Sequence, residues 1–429
     1  MKPTELKNKL KNGEFDDQLA YIYACEKKDT NKYTQRFFEI IDGFKDTFDY
    51  EADNMRLFSA PGRTEIGGNH TDHQHGCVLA AGLNLDVIGA VSLNNKNEIR
   101  IKSKGYPMDI IALDDLEVRE SEFDKASSLI RGVVKKISDM GYEIKGFDAY
   151  TISNVLKGSG MSSSAAFEVL VGTIINGLFC NNEIDAVEIA KIGQFAENVY
   201  FGKPCGLMDQ MASSVGAVVA IDFKDTQKPV VNKVEYDFTK SGYSLCIIDS
   251  GADHADLTDE YASITVEMKK IANFFNKDYL REVNPEDFYN NIKNIRNEIK
   301  NDRAILRAIH YFNDNERAQE EVEALKNNDF DLFLSIIKKS GYSSFMYLQN
   351  IYASNTPDQQ AVSLALAMCD EILGDRGAYR VHGGGFAGTI QAFVPNDMLD
   401  EFKTKIENVL GKDMCHVLSI RPVGGIELK

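Results

Sequence analysis

Apolar residues recur at helical spacing through the first 55 positions. Leu6 and Leu10, then Phe37, Phe38, Ile40 and Ile41, mark one face of successive turns, so this stretch predicts amphipathic helices. The pattern then shifts to short β-rich runs at Val87 to Leu93 and Glu98 to Lys102. A helix follows from Lys125 to Met140, a strand from Phe147 to Ser153, helices over about 163–179 and 184–200, and a strand from Val218 to Phe223. The charged turn Lys224 to Lys228 introduces a second half, which opens on a strand at Tyr243 to Asp249. From Asp259 to Asn328, apolar residues at helical spacing lie among Lys, Glu and Asn, which predicts long helices solvated on one side and without evident chemistry. A helix at Asp358 to Leu373, strands at Tyr379 to His382 and Thr389 to Val394, a helix at Met398 to Leu410 and a final strand complete the order. Intermixed helices and strands predict an α+β fold. The expected division is a helical extension over 1–30, a first domain with a mixed sheet plus helices over 31–225, and a compact α/β sandwich over 226–429.

Composition narrows the classes. A chain of 429 residues with 43% hydrophobic content is long enough for two cores. A formal net charge of −17 argues against nucleic acid as a partner, because binding a polyanion needs a basic face. Seven scattered cysteines without a C-x-x-C pair fit a reduced intracellular protein. The first twelve residues are polar and lysine-rich, and no apolar run approaches the length of a bilayer span, so a soluble cytoplasmic protein with no membrane partner is expected.

Four stretches hold side chains suited to chemistry. Ala60 to Gly76 packs Arg63, Glu65, Asn69, His70, Asp72, His73 and His75 between Pro61-Gly62 and Gly76, and its breakers predict a loop held by neighbouring strands. Imidazole and carboxylate are good Zn²⁺ ligands, but adjacent positions on one turn do not all converge on one ion. Lys157 to Ala166 places Gly158, Ser159, Gly160, Met161, Ser162, Ser163, Ser164 and Ala165 after a strand and at the start of an apolar helix. Glycines, hydroxyls and first-turn N–H groups there make an anion site suited to phosphate, or else a plain serine-capped helix. Ala196-Glu197-Asn198 precedes Gly202 to Gln210, where Pro204 and Gly206 end a helix and project Asp209 from an irregular segment, as a substrate-facing carboxylate or a turn cap. His382 to Gly388 is a glycine run between strands, either a hairpin or a close approach to ligand.

In this order and spacing the four stretches resemble the galactokinase branch of the GHMP small-molecule kinases, from about Lys32 to Val423. The family pattern A-P-G-R-V-N-L-I-G-E-H-T-D-Y aligns without gaps to Ala60 through His73, and P-x-G-x-G-L-S-S-S-A to Leu156 through Ala165. C-G-I-M-D-Q matches Cys205 to Gln210, and M-T-G-G-G-F-G-G matches Val381 to Gly388. The resemblance implies a two-domain GHMP kinase fold with the active site between the domains, acting on a small-molecule sugar and MgATP as a monomer or weak oligomer. Asp209 falls on the catalytic aspartate and Arg63 on its arginine partner. Ser164 and Glu197 fall on positions that hold Mg²⁺, and the 158–165 loop on the one that wraps the phosphates of ATP. Asn69, His70, Asp72, Gly206 and Tyr261 fall on sugar contacts.

Departures from the pattern bear on the substrate. Asn69 stands where the family carries a glutamate that contacts the sugar C6 hydroxyl, and Glu65 stands where it carries asparagine. Galactose is the simplest expectation. An N-acetylhexosamine, arabinose or a uronic acid are alternatives that an amide tolerates better than a carboxylate does. A catalytically silent sugar sensor is a further alternative, and retention of Asp209 and Arg63 counts against it.

Overall fold

The computed structural model describes all residues except 49–51, 157–159, 204 and 253–256. It is a mixed α and β structure built on two sheets. The first contains β1 (Arg56–Gly67), β2 (Cys77–Leu93), β3 (Glu98–Ser103), β4 (Met108–Ala112), β5 (Phe147–Ser153), β6 (Val218–Asp222) and β7 (Val230–Val234). The second contains β8 (Tyr243–Asp249), β9 (Ala378–Val381), β10 (Thr389–Pro395) and β11 (Cys415–Leu418). The last strand, β12 (Ile426–Leu428), returns to the first sheet beside β1.

The first sheet runs β12-β1-β2-β5-β3-β4. Its strand β2 is long because its two halves serve different neighbours: Cys77–Ala81 pairs with β6, and Val87–Leu93 pairs with β5. Alternate side chains enter opposite cores, as the two-residue period of a strand requires. Phe58, Val87 and Val91 face the helices Ala126–Asp139, Ser163–Phe179 and Ala186–Phe195. Leu57, Ile88 and Ala90 face the amino-terminal helices Pro3–Lys11, Asp16–Ile22 and Asn31–Thr47. Tyr23, just past the helix Asp16–Ile22, and Arg36 of the helix Asn31–Thr47 both bond the buried carboxylate of Asp86 on β2.

The second sheet runs β11-β8-β10-β9, all antiparallel. Cys246 and Ile248 of β8 pack under the helices Ala361–Leu373 and Leu399–Leu410. Leu245 and Ile247, on the opposite face, join Phe333 and Ile337 in the core that continues into the first sheet. The boundary expected at 225/226 falls between β6 and β7, and both β7 and β12 pair within the first sheet. Among the described residues no helix is long and apolar enough to cross a membrane.

Four expectations are corrected. Residues 60–67 form strand rather than loop: Pro61 sits at a register shift, past the point where pairing with β12 ends at Ser59, so its missing N–H interrupts no ladder. Strand β2 begins ten residues before Val87. Asp209 lies in the first turn of the helix Met208–Val215, not in an irregular segment. The helix Phe330–Ser343 was not foreseen; the helix Asp302–Lys326 is solvated on one side as expected, while its other face buries Arg307, His310, Asp314 and Glu321.

Candidate functional site

Beyond Ser59 the edge of β1 is free of β12 and meets the segment leading into the helix Ser163–Phe179. The Arg63 N–H donates to the Met161 carbonyl at 3.2 Å. The Arg63 side chain, only 7% exposed, donates from Nε and Nη2 to the two oxygens of Asp209, each at 2.7 Å, and from Nη1 to the Gly160 carbonyl. The Ser162 hydroxyl donates to Asp209 Oδ2 at 2.6 Å. Ser162 therefore does not cap its helix: its backbone is left-handed, at φ 54, and its hydroxyl is turned to the carboxylate. Burial alone would raise the Asp209 carboxyl, but Arg63 and Ser162 outweigh it and hold the group below the ordinary aspartate value.

The loop expected to bind phosphate is only partly described, because Gly158 and Ser159 lie outside the described residues. Met161 and Ala165 are buried, so their side chains belong to the core and only their backbone faces the loop. Ser163 and Ser164 line a cavity of about 780 Å³ whose wall includes Lys104, Tyr106, Lys125 and Phe201. None of these four wall residues carried a sequence signal.

On the far side of Ser164 the helix Ala186–Phe195 continues as a π-helical turn, Ala196–Phe201, which carries Glu197. Such turns displace a side chain from the regular helical register. The Ser164 hydroxyl lies 3.4 Å from Glu197 Oε1, and Gln210 Nε2 bridges Glu197 Oε2 at 2.7 Å and Glu168 Oε2 at 3.0 Å. Glu168 Oε1 and Gln210 Oε1 are buried without a hydrogen-bond partner. Burial first, and then the neighbouring Glu197, push the Glu168 carboxyl well above the ordinary glutamate value. Oxygen donors of this kind suit a hard divalent cation, so Ser164 and Glu197 fit the Mg²⁺ that the resemblance implies.

The remaining predicted residues converge on the turn over 68–76. His70 Nε2 lies 2.9 Å from the Gly384 carbonyl, and burial holds its imidazole down at about 4, so the ring is neutral and donates that bond. Asp72 sits against Gly206, where a Cβ would come within 2.9 Å of Asp72 Oδ2. The Tyr261 hydroxyl donates to the Gly385 carbonyl at 2.9 Å, and its ring lies where a Cβ on Gly384 would come within 2.4 Å. The three imidazoles do not converge on one ion: His75 stacks on Tyr279 at 3.6 Å while His70 faces Gly384, and among the described residues no group of three His, Cys, Asp or Glu is arranged for a metal.

Asn69, expected as a sugar contact, lies at the centre of a buried hydrogen-bond cluster. It is 0% exposed, and its amide is fully occupied within the protein. Nδ2 donates to Glu65 Oε1 at 3.0 Å and to the Gly383 carbonyl at 2.7 Å, while Oδ1 accepts from Asn350 Nδ2 at 2.9 Å and from the Ser344 hydroxyl at 3.3 Å. Glu65 in turn pairs with the buried Arg380. Sequence reasoning missed Asn350 and Ser344, which come from distant segments with no motif around them, and Arg380, which directly precedes the glycine motif beginning at Val381.

Comparison with known proteins agrees with this arrangement. Residues 128–217 match the family model of the GHMP kinases N terminal domain, and residues 42–93 match the galactokinase galactose-binding signature. A galactokinase of Glaesserella parasuis serovar 5 is 32% identical over 368 residues, covering 85% of this chain and 91% of that protein. A galactokinase of Clostridium tetani is 29% identical over 371 residues, covering 85% and 90%. Among solved structures, Lactococcus lactis galactokinase complexed with galactose superposes with a TM-score of 0.75 at 24% identity, covering 90% of this chain and 98% of that one. A mevalonate kinase superposes with a TM-score of 0.61 at 13% identity, covering 85% and 99%. With its architecture, its motifs and these relatives in agreement, the chain belongs to the galactokinase branch of the GHMP small-molecule kinases.

Proposed function

We propose that this protein phosphorylates the anomeric hydroxyl of galactose, converting galactose and ATP to galactose 1-phosphate and ADP by direct transfer. The observation that carries this reading is the fork of Arg63 on Asp209, set between the phosphate loop and the turn that holds Asp72. The curated relatives named galactokinase support the choice of sugar.

Asp209 accepts the anomeric hydroxyl proton as a hydrogen bond, orienting the attacking oxygen, and takes the proton as the new P–O bond forms. A carboxylate held below its ordinary value is a weak base. A weak base suffices because the transition state is loose and the attacking oxygen gains little positive charge until late. Arg63 holds Asp209 in place and offsets charge on the transferring phosphoryl group. The first-turn N–H groups of the helix Ser163–Phe179, with Gly160, Ser162 and Ser163, bind phosphate oxygens, and the adjoining cavity takes the nucleoside. Ser164 and Glu197 would hold Mg²⁺, which would supply neutralisation of phosphate charge. Asp72, His70, Tyr261 and the Gly206 backbone seat the sugar, and Asp72 reads the ring hydroxyls that distinguish epimers. The site lies between the halves proposed at 31–225 and 226–429, with the helices of 1–30 outside it.

The test is ADP release from MgATP across a panel of galactose, glucose, arabinose, N-acetylgalactosamine and galacturonate. Galactose is expected to give the highest kcat/KM. No turnover with any of them would defeat the kinase reading, and a different leading sugar would revise only the substrate.

A further inference from the structure

The position that most separates this chain from the galactokinase pattern is Asn69, and the geometry gives it work other than touching a sugar. A side-chain amide has two donor hydrogens and two acceptor lone pairs, and all four are engaged here by Glu65, Gly383, Asn350 and Ser344. The backbone is held as firmly: the Asn69 N–H donates to Asp314 Oδ2 at 3.0 Å, and its carbonyl lies 2.9 Å from His310 Nε2. Binding a sugar hydroxyl through this amide would require breaking one of these bonds inside a site with no access to water, which leaves a buried group unpaired.

What these bonds connect is informative. Glu65 lies at the end of β1, in the first half of the chain, whereas Gly383, Asn350 and Ser344 lie in the second. Asn350 Nδ2 reaches both Asn69 Oδ1 and, at 3.2 Å, the Gly384 carbonyl, the same oxygen that faces His70. His70 and Asp72 follow directly on Asn69, and Tyr261 rests on Gly384 and Gly385. The relative placement of these sugar-facing residues therefore runs through the Asn69 amide.

We propose that Asn69 is a positioning residue: it fastens the turn over 68–76 to the glycine turn over 383–385, with Asn350 as its counterpart, and makes no contact with the sugar. Glu65 and Asn69 then form an internal clamp in this chain, and Asn69 does not mark a different substituent at C6. This inference rests on the kinase reading above.

The test compares kcat and KM for galactose and for 6-deoxygalactose in the wild type, Asn69→Ala and Asn350→Ala, with folding checked by circular dichroism. Loosening the clamp should raise the KM for both sugars together by about tenfold or more, with the KM for ATP and the ratio of the two sugars' kcat/KM each kept within about twofold. Asn350→Ala should give the same pattern, since it acts on Asn69 Oδ1 from the far side. A merely structural role would lower the melting temperature without raising the sugar KM of folded enzyme, and that result overturns the proposal. A fivefold or larger collapse of the sugar ratio in Asn69→Ala also overturns it, by placing the amide on the C6 hydroxyl. A wild type that turns over neither sugar nor any other aldose defeats the kinase reading and the inference with it. That outcome is distinct from a changed ratio in an active wild type.

Discussion

Arg63 on β1 and Asp209 in the first turn of the helix Met208–Val215 stand 146 positions apart and meet through two hydrogen bonds of 2.7 Å. The fork fixes the plane of the carboxylate as well as its place, which a single-point contact does not do. Ser162 adds a third bond to the same group, so the orientation of Asp209 is set before any substrate arrives.

Asp209→Asn keeps the shape and removes the charge. It should lower kcat by about a thousandfold while galactose affinity, measured by calorimetry, stays within a few fold, because the lost interaction belongs to the transition state. Arg63→Lys should lower kcat by about a hundredfold, since one ammonium cannot reproduce the fork. A drop in affinity that matches the drop in rate would mean these residues serve binding alone.

Glu197 should matter through the metal. Glu197→Gln should raise the Mg²⁺ concentration needed for half-maximal rate by about tenfold and weaken Mn²⁺ binding measured by electron paramagnetic resonance to a similar degree. The variant keeps an acceptor for Ser164, so the local fold is expected to persist. An unchanged metal titration would remove Glu197 from the cation site.

Glu321, buried beside Gly67 with both oxygens unpartnered, should make stability depend on pH. Burial is the main cause that raises its carboxyl to about 8, with Arg380 opposing and Asp314 and Glu65 adding. In the unfolded chain a glutamate ionises near about 4.3. Between those values the folded protein keeps a proton that the unfolded chain has lost. This contribution to stability is therefore complete below about pH 4 and declines as pH rises towards 8, by about 1.4 kcal/mol per unit. Glu321→Gln imitates the protonated form. Its melting temperature should match the wild type near pH 4 and exceed it increasingly up to pH 8; parallel curves would show that Glu321 does not carry the proton.

The local arrangement of the candidate site was largely legible in the sequence, because Arg63, Ser162, Glu197 and Asp209 lie in short motifs that the fold brings together. Most strands and helices were legible for the same local reason, as periodicity reports which face is buried. Pro61 and Gly62 misled because a breaker signal does not reveal that the strand has already lost one neighbour when it reaches them. The environment of Asn69 was only partly visible, since Glu65 and Gly383 lie in recognised motifs whereas Asn350 and Ser344 do not. Its amide partners Asn350 and Ser344 lie 281 and 275 positions away, and no periodicity or motif links those positions to it. Burial of His310, Asp314 and Glu321 on a helix rich in charged residues was equally invisible, since composition suggested a solvated face.

The central claim is transfer of phosphate to the anomeric oxygen of galactose, and identifying the product by phosphorus and proton nuclear magnetic resonance tests it most directly. Protein incubated with galactose and MgATP should yield ADP and one new phosphate ester whose phosphorus couples to the proton on C1, and Asp209→Asn should form it about a thousandfold more slowly. Phosphate on any other hydroxyl, or ADP formed with no sugar phosphate, would contradict the account.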